Sequence, residues 1–91
     1  MPQNNSPTPD DITDTASHDI LSTIDKLRAN QHDYVSVDDI CQETALTPVV
    51  VGTLADELRT CIPPLIEGDQ LQGYRITSHG TQQNKVWRKQ S

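Results

Sequence analysis

The sequence predicts a mainly α, α+β domain: a three-helix bundle followed by a C-terminal antiparallel β-hairpin of two to three strands. Apolar residues recur at helical spacing in three stretches between Ser17 and Cys61. Hydroxyl residues and a proline punctuate the helix starts. Beyond Gly68-Asp69 the apolar residues alternate as they do in strands.

The chain has 91 residues, enough for one domain. Residues 1–15, rich in Pro, Asn, Ser, Thr and Asp, are expected to form a disordered tail, leaving 16–91 as the folded unit. A domain of that size buries only about 60% of the surface its unfolded chain exposes, so a homodimer or a protein partner would suit it. No apolar run follows a basic start and no stretch approaches a membrane span, so a cytoplasmic protein with no membrane partner is expected.

The first helix is expected from Ser17 to Asn30, with Ile20, Leu21, Ile24 and Leu27 on one face. Ser17 or Thr15 would cap it, and Lys26 and Arg28 suit the negative end of its dipole. Tyr34 and Val35 favour an extended backbone, which predicts a strand of one or two residues within His32–Ser36. Ser36 then caps a second helix that runs to about Thr44, with Val37, Ile40 and Cys41 inward.

Thr47-Pro48 is the clearest punctuation: a hydroxyl cap, then proline at the first helical position, where its missing N–H costs nothing. A third helix follows over about 48–61. Helical spacing puts Val50, Val51, Leu54, Leu58 and Cys61 on one side and Val49, Gly52, Thr53, Asp56, Arg59 and Thr60 on the other. Pro63-Pro64 stops it. The hairpin is expected over about 72–89: Leu71–Thr77 paired with Lys85–Lys89, with Ser78–Asn84 as a long polar tip.

Charge is distributed unevenly. The chain carries −6 overall, but all thirteen acids lie between Asp10 and Asp69, where only three cations accompany them. From Gln70 to Ser91 there are four cations, Arg75, Lys85, Arg88 and Lys89, and no side-chain carboxylate. Four cations on a hairpin in an otherwise acidic chain point to phosphate neutralisation, with His79 at the tip. Trp87 alternates with Lys85 and Lys89, and packing on the helices is its favoured role over stacking on a base.

Helix, short strand, helix, turn, helix and hairpin in this order resemble the winged helix-turn-helix superfamily of DNA-binding domains. The resemblance is carried by Tyr34–Cys41, Leu46–Leu58, Leu65-Ile66 and Gly73–Ile76. It implies a transcriptional regulator that binds double-stranded DNA, with the third helix in the major groove and the basic hairpin on the backbone. Thr47, Val49, Gly52, Thr53, Asp56 and Arg59 would then face the groove, and Arg75, His79, Lys85, Arg88 and Lys89 would belong to the wing. Two copies on a palindromic site would sit about 34 Å apart.

The third helix offers one arginine beside a carboxylate where several cations would be expected of a DNA reader. The alternative is therefore a winged-helix module that binds a protein and no nucleic acid. Cations that share a face with the start of the third helix favour DNA; cations that point away favour the protein partner. Neither a cofactor nor a metal is expected: Cys41 and Cys61 lack zinc-motif spacing and fall on apolar helix faces. No nucleophile, base and carboxylate stand at suggestive positions, so an enzyme is not expected.

Overall fold

The computed structural model describes residues 8–30 and 34–90. Among them lie four α-helices, α1 (Thr15–Asn30), α2 (Val37–Thr44), α3 (Pro48–Thr60) and α4 (Ser78–Gln90), and a two-stranded antiparallel sheet of β1 (Ile66–Asp69) and β2 (Gly73–Ile76). The chain is thus α+β and mainly helical, with one helix more than the sequence predicts. None of the described helices is long and apolar enough to cross a membrane.

The first three helices follow from local chemistry. Ile20, Leu21 and Ile24 of α1 are fully buried and Leu27 nearly so, as their spacing requires. Thr15 and Ser17 lie inside α1, so neither caps it, and Ser17 is buried. Ser36 Oγ accepts from the Asp39 amide (3.1 Å) at the start of α2, and Ala45 closes that helix in the left-handed region with φ of 63°. Thr47 Oγ1 accepts from the Val50 amide (3.3 Å) and Pro48 opens α3. The inward face of α3 is Val51, Ala55 and Leu58, with Leu54 partly buried; Val50, expected inside, is exposed. Cys61 follows the last turn and is buried.

The expected short strand is present as a single bridge. Val35 donates to the Tyr74 carbonyl (2.6 Å) and accepts from the Tyr74 amide (2.8 Å), which lays the α1–α2 connection along β2. Gly73, with φ of 100°, permits this approach, since a Cβ there would lie 2.7 Å from the Val35 carbonyl oxygen. His32 and Asp33 lie outside the described residues.

The hairpin corrects the sequence expectation. The mate of β2 is β1, in the register Ile66↔Ile76, Glu67↔Arg75, Gly68↔Tyr74 and Asp69↔Gly73, and not Lys85–Lys89. The turn is short because the Asp69 carboxylate accepts from both the Leu71 and Gln72 amides (2.9 Å each). Residues 78–90, expected as a loop and a second strand, form α4 instead.

Three local features make α4 helical. Thr77 Oγ1 caps it, accepting from the Gly80 amide (3.0 Å) while donating to the Pro64 carbonyl (2.7 Å). Gly80, Asn84 and Trp87, at helical spacing, form its buried stripe. At Gly80 a Cβ would lie 2.0 Å from the Leu65 carbonyl oxygen, so only glycine lets α4 settle there. Trp87 stacks on His18 of α1, with ring centroids 3.8 Å apart and planes 13° from parallel, while Asn84 Nδ2 donates to Asp25 Oδ2 (3.0 Å). Trp87 therefore takes the packing role expected of it, though from a helix.

The N-terminal segment is also anchored where it is described. Pro9–Asp11 form a 3-10 turn in which the Thr8 amide donates to Asp11 Oδ2 (3.0 Å). Ile12 enters the core at 4% exposure, and its carbonyl accepts from His18 Nε2 (2.9 Å). One apolar residue and one histidine thus dock a segment whose composition predicts disorder. Residues 1–7 of the expected tail lie outside the described residues.

Candidate nucleic-acid interface

The outward side of α3 lies beside the hairpin turn. Pro48, Val49, Gly52, Thr53 and Asp56 line a shallow groove whose other wall is Gln70. Gly52, Asp56 and Arg59 continue it toward Asp69, Leu71 and Tyr74. Gln70 divides the two halves: its amide reaches α3 at Gly52, where a Cβ would lie 2.5 Å from Gln70 Nε2. Five of the six residues expected on this face are brought together. The sixth, Thr47, is exposed just before α3, with its hydroxyl engaged in the cap.

Gln70, Leu71, Asp69 and Tyr74 complete the groove and were not foreseen as site residues. A lone leucine between two glutamines, next to a Gly-Asp turn, was the available clue. Leu71 is 98% exposed at the hairpin tip and Val49 is 78% exposed on α3, so the groove has apolar rims.

The arginines of the groove and of the neighbouring hairpin are each paired with a carboxylate. Arg59 is paired with Asp56, and Arg75 Nε donates to Glu67 Oε2 (2.7 Å) across the strand pair. The Arg75 guanidinium also lies 5.4 Å from the centre of the Tyr34 ring. Burial pushes the Tyr74 phenol above its ordinary pKa; Arg59 opposes this, while Asp56 and Asp69 reinforce it.

The predicted cation cluster is divided. Arg75 alone stays with the hairpin. His79 is exposed in the first turn of α4, and Lys85, Arg88 and Lys89 line a separate shallow hollow on that helix. Helix α4 packs on α1 and β2, while α3 packs on α1, α2 and β1. These three cations therefore belong to a different surface from the groove.

The cysteines offer no chemistry to either surface. Both are free; burial pushes the Cys61 thiol upward, and its single S–H is within reach of both the Leu58 and Pro63 carbonyls (3.3 Å each). No group of three His, Cys, Asp or Glu placed to hold a metal occurs among the described residues. Compared with known proteins, the chain matches no family model, no curated protein and no solved structure.

Proposed function

We propose that the chain is a winged helix-turn-helix domain that lays α3 in the major groove of double-stranded DNA, with the β1–β2 hairpin as its wing. The observation that carries this reading is the outward side of α3, exposed at Val49, Thr53, Asp56 and Arg59 with the hairpin turn alongside it; Gly52, expected to face the groove, is instead buried beneath Gln70. A B-DNA major groove is about 12 Å wide and admits one α-helix. Val49 and Thr53 offer methyl groups to thymine, and Asp56 can accept from the cytosine amino group. Arg59 and Arg75 are exposed enough to exchange their carboxylates for phosphates, because such surface pairs are worth about 0–1 kcal/mol.

Titration of duplex DNA at several salt concentrations tests this. Wild type is expected to bind at low salt, and Thr53→Glu to weaken binding about tenfold by placing a second carboxylate beside Asp56. Absence of binding at low salt, or indifference to Thr53→Glu, overturns it.

A second reading is favoured by the criterion drawn from the sequence, since Lys85, Arg88 and Lys89 lie away from the start of α3 and only Arg75 stays with the hairpin, and by the exposed Val49 and Leu71. On that reading the groove takes a protein segment that seats an apolar side chain between the two rims. Capture of a protein partner that is lost on Leu71→Asp, without DNA binding, would establish it in place of the first.

A further inference from the structure

The ion pairs divide the molecule. Of the seven Lys and Arg residues, four are held by carboxylates: Lys26 by Glu43, Arg28 by Asp25, Arg59 by Asp56 and Arg75 by Glu67. Lys85, Arg88 and Lys89 have no ion pair among the described residues. They lie within little more than one turn of α4, a span of about 6 Å along the axis. All three are exposed, and α4 itself contains no carboxylate. Asp19 of α1 shares a cleft with Arg88 without forming an ion pair.

We propose that the exposed side of α4 is a second binding surface, which takes the phosphate backbone of a nucleic acid through Lys85, Arg88 and Lys89. It goes beyond the α3 reading and does not depend on it. The flanking exposed groups, Ser78, His79 and Gln82, are hydroxyl, imidazole and amide donors of the kinds that meet phosphate and sugar oxygens. Val86, at 45% exposure, is the one large apolar side chain exposed on the described part of α4, too little for the apolar centre that a protein interface needs. In a chain of net charge −6, this side is where a polyanion meets cations that the protein has not already neutralised. If α3 also engages DNA, one domain contacts two segments and can bridge them.

The test is fluorescence anisotropy of a labelled mixed-sequence duplex across a salt series, with wild type and the variant Lys85→Gln/Arg88→Gln/Lys89→Gln. Three exposed substitutions leave the fold intact, which circular dichroism checks. Losing three phosphate contacts should flatten the plot of log affinity against log salt by about 2.7 and lower low-salt affinity about tenfold or more. A control with Val49→Asp and Thr53→Asp should retain that salt-dependent component. Wild type that does not bind at low salt, or a triple variant with unchanged slope and affinity, overturns the inference. So does displacement of the duplex by poly-glutamate at equal anion concentration, which would make α4 a site for acidic polypeptide. If the α3 control abolishes binding and the triple variant does not, the α4 site fails while the α3 reading stands; the converse pattern has the opposite meaning.

Discussion

The α3–hairpin face and the α4 face are both exposed and both carry cations, yet they are built on opposite terms. On the first, Arg59 is paired with Asp56 and the hairpin's Arg75 with Glu67 outside the groove lining, and the rims are apolar at Val49 and Leu71. On the second, three cations stand on a helix that contains no acid. A surface with internally matched charge can offer shape and methyl groups but little long-range attraction. A surface with unmatched charge attracts polyanions with little discrimination. If one domain uses both, attraction and selectivity are divided between different helices.

The largest effect should come from undocking α4. Trp87→Ala removes the stack on His18 and a buried ring, and a loss of about 3–5 kcal/mol in urea unfolding is expected. A loss under about 1 kcal/mol would mean that α4 is not held as described. Asn84→Ala should cost about 1–2 kcal/mol, because it leaves Asp25 without its Asn84 donor at the α1–α4 contact; an unchanged unfolding midpoint would show that the bond contributes nothing.

Glu67→Gln sharpens the comparison from the other side. It removes the Glu67 partner of Arg75 and should make the salt dependence of DNA binding steeper by up to about one phosphate contact, while stability moves by less than about 1 kcal/mol. An unchanged slope would place Arg75 outside the interface. Alkaline pH should loosen the α3 side through Cys61 and Tyr74, whose pKa values burial raises in the folded state. The unfolded chain loses these protons first, so their contribution is complete below the ordinary thiol and phenol values and is lost as pH rises through the folded values. Urea midpoints that are flat from neutral to strongly alkaline pH would contradict this.

The first three helices were legible because each is written in local chemistry. Ser36 and Thr47 stand three residues before the amides they cap, and Ile20, Leu21 and Ile24 keep helical spacing. Helix α4 was not legible, because its buried stripe is a glycine, an asparagine and one tryptophan. Val86-Trp87 between cations imitates strand alternation, and what makes the segment helical is tertiary: the Leu65 carbonyl at Gly80, Asp25 at Asn84 and His18 at Trp87. The Thr77 cap three residues before Gly80 was the one local clue. The same misassignment moved Lys85, Arg88 and Lys89 onto a wing. The segregation of charge is visible along the chain, but its place in space depends on whether 78–90 is helix or strand. Most of the groove-facing side of α3 was foreseen, whereas Gln70 and Leu71 were missed because β1 was hidden in the Gly68-Asp69 turn.

The division of labour is tested most directly by mapping amide chemical shifts of the labelled protein during titration with a short duplex at low and at high salt. Two separate sets should move at low salt: residues of α3 with the hairpin turn, and residues of α4 around Lys85, Arg88 and Lys89. At high salt the α4 set should fade first, because its contacts are to phosphate alone. A single set confined to either face, or two sets that respond identically to salt, would contradict it.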